Sequence, residues 1–133
     1  MAGIRDLNEL LAAMAPVRRP GEFVFVAWDP SIGVEHTEAL IREPEGLCAV
    51  VERKVADARG LDYEFVGAWI TLEVTSALDA VGLTAAFATA LAEAGISCNV
   101  LAGRHHDHLL VGLADAESAM GVLTELSRRA SGS

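Results

Sequence analysis

Val66-Gly67-Ala68-Trp69-Ile70-Thr71-Leu72-Glu73-Val74 is the stretch on which the reading of this chain turns. Val66, Ala68, Ile70, Leu72 and Val74 are apolar and alternate with Gly67, Trp69, Thr71 and Glu73. A period of two puts those five on one side of an extended chain, so the stretch reads as a strand with one strongly apolar face. After a loop over Ser76 to Ala80 the period changes. From Gly82 to Ala94, Leu83, Phe87 and Leu91 recur every fourth residue as one stripe of a helix, and Gly95 suits its end. Ile96 to Ala102 and Asp107 to Leu113 read as two more strands, with Gly103 near the turn between them. The last helix starts near Asp115, has acids in its first turn and Arg128 and Arg129 in its last, and carries the stripe Ala116, Ala119, Met120 and Leu123. Ser131-Gly132-Ser133 reads as a frayed tail. The order strand, helix, strand, strand, helix is a ferredoxin-like βαββαβ unit without its last strand.

Upstream the pattern is less regular. Asp6 can cap a helix over residues 6–15, with Glu9 in capping-box register and Leu7, Leu10, Leu11 and Met14 as its stripe. Pro16 ends it, and Arg18, Arg19, Pro20 and Gly21 read as a link. Glu22 to Trp28 is β-branched and aromatic, a strand, followed by a turn at Asp29-Pro30-Ser31-Ile32-Gly33. His36 to Ile41 suggests a short helical turn and Glu43-Pro44-Glu45-Gly46 a loop. Leu47 to Val51 is a second strand, and Arg53 to Arg59 a short helix closed by Gly60. The expectation is an α+β chain of two ferredoxin-like halves, 1–63 and 64–133, with antiparallel sheets and helices on one face. Each half is a strand short or irregular, so the two are expected to complete each other's sheets, with strand exchange as the means.

Composition bounds the function. The chain has 133 residues, 52% of them hydrophobic and 22% charged, which suits a packed core and excludes a disordered chain. A net charge of -9 repels phosphate, so neither a nucleic acid nor an anionic membrane surface is an expected partner. Cys48 and Cys98 each lie in an apolar run, as reduced thiols do. Asp6 and Glu9 follow Arg5 where a signal peptide would be apolar, and the uncharged run Ala80 to Ala92 is too short to span a bilayer. The expected location is the cytoplasm.

Three places carry candidate chemistry. In Ser76-Ala77-Leu78-Asp79-Ala80-Val81-Gly82-Leu83-Thr84 a strand ends and a helix begins at a glycine. The first N–H groups of a helix lack internal partners and favour an anion, so a ligand carboxylate suits the amides of Gly82, Leu83 and Thr84. The plainer alternative is that Ser76 or Asp79 caps the helix. Asn99, inside the apolar Ile96-Ser97-Cys98-Asn99-Val100-Leu101, is a poor strand former with an amide that needs partners, which a ligand or a neighbouring loop would supply. His105-His106-Asp107-His108 holds metal-ligand types, with His106 and His108 on one face of an extended chain and Asp107 on the other. A tight zinc site needs three or four ligands, so a polar hairpin turn fixed by Asp107 is the simpler reading. Ser76, Ser97, Cys48 and Cys98 lack a nucleophile's setting, and no P-loop or dinucleotide fingerprint occurs.

Ile70 to Val74, Ala80 to Ala86, Ala94 to Val100 and His106-Asp107-His108 closely resemble a bacterial family of small proteins built from two tandem ACT-like repeats. Phe23-Val24-Phe25 and Arg42 to Leu47 match it more loosely. The resemblance implies a ferredoxin-like, non-catalytic regulatory module that binds a small molecule, chiefly an amino acid, at an interface of paired domains. It implies ligand contacts from Val81, Gly82, Leu83 and Thr84 and from Ser97, Cys98, Asn99 and Val100, with Asn99 orienting the ligand. Arg104, His106, Asp107 and His108 are expected to belong to the pocket or its turn, no metal and no cofactor is expected, and the expected assembly is a homo-oligomer, a dimer in the first instance. Where the family has two aromatic residues before the triplet this chain has Arg104 and His105; if those aromatics line a pocket the departure implies a more acidic or polar ligand, and if they only pack it changes nothing. The alternative is a structural or protein-interaction module with a vestigial ligand site.

Overall fold

In a computed structural model that describes residues 6–132, Asp6 accepts a hydrogen bond from the Glu9 amide at 2.9 Å and so starts helix α1, Leu7–Ala13. Arg5 and Ser133 lie outside the described residues. Then come β1 (Pro16–Arg18), β2 (Phe23–Ala27), a 3₁₀ turn (Val34–His36), β3 (Ala39–Glu43), β4 (Gly46–Glu52) and α2 (Arg53–Arg59). The second part is β5 (Val66–Leu72), α3 (Leu83–Glu93), β6 (Asn99–Ala102), β7 (Asp107–Gly112) and α4 (Ala116–Ser131).

All seven strands form one antiparallel sheet, in the order β3-β4-β2-β5-β7-β6, with β1 also paired to β5. That order contains the ferredoxin-like arrangement twice, as β5-β2-β4-β3 and as β1-β5-β7-β6. Strand β5 serves both. The fourth strand missing from the second half is β1, supplied by the first. Along one edge of β5, β1 holds Ile70 to Leu72 and β2 holds Val66 and Gly67. Between Arg18↔Ile70 and Phe23↔Gly67 the outer chain advances five residues and β5 three, so the intervening residues bulge.

The alternation in β5 divides the core. Ala68, Ile70 and Leu72 are fully buried under α1, α3 and α4, with Leu10, Phe87, Leu91, Leu109 and Leu123. Val24 pairs with Val66 and therefore points the same way; it packs with Val26, Ala49 and Val51 on Ala56 of α2. All four helices thus cover one face. On the other face the sheet curls around Phe23, Val50, Trp69 and Leu110. The Arg19 guanidinium lies 4.9 Å from both the Phe23 and Trp69 ring centres and is paired to Glu38 at 2.9 Å.

Local reading fails in three places. Pro16–Arg18 is a strand rather than the start of a link, because β5 offers a free edge there and proline is tolerated as a strand's first residue. The helical turn expected over His36 to Ile41 is a 3₁₀ turn at Val34–His36 followed by β3, whose exposed faces leave no apolar alternation to read. Ile96 to Cys98 does not join β6. Instead the Gly95 amide donates to Ala92 and the Ile96 amide to Leu91, both at 2.9 Å, which closes α3 in a Schellman motif with Gly95 at φ 76°. Leu91 and Ile96 are buried together beneath it.

An added Cβ at Gly95 meets open space, so Gly95→Ala isolates the backbone cost. It is expected to destabilise the protein by about 1–2 kcal/mol in urea denaturation, the penalty of a left-handed non-glycine residue. An unchanged midpoint would contradict this account of the helix end.

Candidate functional site

The sheet positions two segments opposite each other. The chain leaves β5 through Glu73, whose amide donates to Ala15 at 2.9 Å, and buried Val74. It makes a turn in which Ala80 donates to Ala77 at 2.9 Å, then enters α3 at Gly82, which has φ +103°. A side chain there would be strained, and its Cβ would lie 3.1 Å from Leu7 Cδ2. Without a side chain Gly82 offers no cap of its own, and the amides of Leu83 and Thr84 have no partner within the helix by their position. The facing wall is the β6–β7 turn, where the Gly103 amide donates to the His106 carbonyl at 2.9 Å. Between them lies a cleft of about 180 Å³, lined by Ser76 to Leu78, Ala80 and Gly82 to Thr84 on one side and by Ala102, Gly103 and His105 to Asp107 on the other.

Asp107 shares the helix-side face of β7 with Leu109 and Val111. Burial pushes its carboxyl above the usual range, partly offset by the charge of His108, and the carboxylate forms no hydrogen bond with another described residue. His106 reaches the Val74 carbonyl through Nδ1 at 3.4 Å, and its ring lies 6.4 Å from that of His105. One end of the cleft is therefore rich in N–H groups, and the other carries a carboxylate.

His108 projects to the opposite face, against Trp69. The expected sharing of one face by His106 and His108, with Asp107 opposite, is thereby corrected: extended geometry begins only at Asp107, so His106 and Asp107 line the cleft together. Among the described residues no group of three or more His, Cys, Asp or Glu is placed to hold a metal ion.

Asn99 does not face the helix terminus. It is exposed at the start of β6, opposite Leu110, and its Nδ2 donates to the Leu110 carbonyl at 3.3 Å; the cleft abuts the other end of the strand, at Ala102. Ser97 is exposed, and Cys98 and Val100 pack on the helix-side core, where burial raises the Cys98 thiol. Val81, 83% exposed, adjoins the cleft without lining it, and Arg104 is exposed in the turn. Small side chains at Ala77 and Ala102, and His105, complete the lining; of these only Ala102 falls outside the stretches the sequence singled out, and its pairing with Asp107 brings it there. A wider trough of about 820 Å³ runs between α3 and α4 over Ala90, Ser118, Gly121 and Val122. Of its charged groups, Glu125 and Arg129 are paired at 3.1 Å, and the other two, Glu93 and Glu117, are both acidic, so the trough offers no pairing of opposite charges to a ligand.

The ACT domain matches this chain twice, over residues 2–68 and 64–125. The two matches overlap in residues 64–68, at the start of the shared strand. A Vibrio cholerae protein of unknown function, described as a possible transport protein, is 43% identical over 95% of this chain and 99% of its own, with a TM-score of 0.81. An Agrobacterium tumefaciens protein superposes with a TM-score of 0.66 at 19% identity, over 86% of this chain and 89% of its own. The regulatory subunit of aspartate kinase from Thermus thermophilus superposes at 0.61 with 10% identity, over 86% and 97%, a likeness of fold. No curated protein matches the sequence.

The folded state disfavours ionised Asp107, so its contribution to stability is lost as pH rises through its raised folded value, above 3.8. Asp107→Asn is expected to raise Tm near neutral pH and leave it unchanged near pH ~3, where the native residue is protonated. A Tm lowered at neutral pH would show that the carboxylate is a structural anchor instead.

Proposed function

Because the chain belongs to the ACT domain family, we propose that it is a non-catalytic regulatory protein whose ligand is an amino acid held in the cleft beside α3. The observation that carries this reading is the pairing of opposite ends in one small cleft: N–H groups at Leu83 and Thr84, and the half-buried Asp107 carboxylate across from them. A zwitterion fits that polarity, with its carboxylate on the amides of Gly82, Leu83 and Thr84 and its ammonium on Asp107. The volume of about 180 Å³ falls below the ~300–1,000 Å³ of drug-sized sites, which favours a single amino acid over a nucleotide. The net charge of -9 opposes any anion at long range, so recognition of the carboxylate is local and rests on backbone dipoles.

In this reading residues 1–63 and 64–133 are two ACT-like halves, the site belongs to the second, and the protein works as a homodimer in the cytoplasm, where Cys48 and Cys98 stay reduced as they are here. Ligand binding shifts the population of one packing of the halves over another. Asn99, turned to the Leu110 carbonyl, is left out of the first contacts.

A panel of the amino acids tested by thermal shift and calorimetry addresses the reading directly. At a ligand concentration 100-fold above Kd the native state gains about 2.7 kcal/mol, enough to raise Tm by several degrees. Gly82→Val is expected to abolish that gain; its backbone strain costs about 1–2 kcal/mol and its Cβ crowds Leu7 Cδ2 at 3.1 Å, so retention of the fold is checked by circular dichroism in the same samples. If no amino acid shifts melting at millimolar concentration, the reading gives way to an interaction module with a vestigial site.

A further inference from the structure

His108 plays no part in the cleft's lining, yet it touches the segment that forms it. On the curled face its ring centre is 5.3 Å from that of Trp69, and Nδ1 is 3.0 Å from Thr71 Oγ1. Behind it the imidazole edge abuts the β6–β7 turn: a Cβ added to Gly103 would lie 3.0 Å from Nε2 and 3.4 Å from Cδ2. Gly103 lines the cleft, and its amide closes the turn onto His106.

The hydrogen-bond chain suits one form of this ring. The Trp69 indole N–H can only donate, and it donates to Thr71 Oγ1 at 3.0 Å. With that bond accepted, the Thr71 hydroxyl hydrogen is available to His108 Nδ1 at 3.0 Å, an arrangement that suits a neutral ring with its proton on Nε2. A proton on Nδ1 would turn this contact around, with Thr71 Oγ1 accepting from both rings and its own hydrogen redirected.

We infer that His108 is a positioning residue for the cleft: in its neutral form it is held by Thr71 and Trp69 against Gly103, and its protonation loosens the turn that carries His105, His106 and Asp107. The charges around it oppose that proton on balance. Arg19, from the link between β1 and β2, stacks on Trp69 with Glu38 as its counter-ion. His106 of the turn adds a like charge when protonated, Asp107 of β7 is the one group that favours a charged ring, and β5 contributes only the neutral Trp69 and Thr71. Burial, above all, holds the imidazole below its ordinary 6.5. The neutral form's contribution is therefore complete above about pH 6.5 and declines as the pH falls towards the lower folded value. The consequence for a ligand rests on the amino-acid reading above; the coupling of His108 to the turn does not.

The test needs no ligand. NMR on the full chain follows the His108 ring through its titration and, in the same samples, the exchange of the Gly103 amide relative to its intrinsic rate. The expected result is that Gly103 loses protection with the midpoint at which His108 gains its proton. In His108→Asn, which keeps an acceptor for Thr71 but cannot titrate, that loss should disappear. Thr71→Val, without the donor that favours the neutral ring, should move the His108 midpoint upwards, a result that stands even if the asparagine variant does not fold. Gly103 protection that ignores the His108 titration, or that falls identically in His108→Asn, overturns the inference. That outcome would leave the amino-acid reading intact, and a failed amino-acid panel would leave this coupling intact.

Discussion

Strand β5 is hydrogen-bonded along both edges and buried on both faces, and the rest of the molecule depends on that arrangement. One edge carries β7, and the other carries β1 and β2 end to end. One face supplies Ala68, Ile70 and Leu72 to the layer under α1, α3 and α4, and the other supplies Trp69 to the curled face. Because β5 completes the four-strand set of each half, neither half has a sheet of its own to retreat to. The halves are therefore joined through shared backbone hydrogen bonds, a tighter connection than a surface of side-chain contacts between independent domains.

The same strand positions the cleft. Its C-terminal end delivers the chain to Gly82, and its pairing with β7, Leu72 opposite Asp107, brings the His-Asp-His segment level with that point. Backbone N–H groups and a carboxylate are thereby presented to each other without any one side chain having to span the gap. The stability of the fold and the polarity of the cleft pull apart at Asp107, where burial raises the free energy of the carboxylate.

The two faces of the sheet at His106 to His108 show how a short motif divides its labour. His106 and Asp107 belong to the cleft, and His108 to the aromatic face beneath Arg19. As a triplet in the sequence they invite a single explanation, such as metal binding or a turn. In the fold they are separated by the alternation of a strand that starts between His106 and His108.

Sequence by itself determined the β5 strand, the α3 and α4 stripes, the caps at Asp6 and Gly95 and the likeness to tandem ACT repeats, since each is written in periodicity, cap residues or contiguous motifs. It also marked Gly82 as the start of α3, where the structure places no side-chain cap. Tertiary structure alone decided that Pro16–Arg18 is the missing strand, that Asn99 turns to the Leu110 carbonyl, and that Asp107 and not Asn99 faces Gly82. The physical reason is common to all three. Which residues meet across a sheet depends on pairing register, set for Pro16 by Leu72 far along the chain and for Asn99 by Leu110 across the β6–β7 hairpin, and neither is encoded in a local pattern of hydrophobicity.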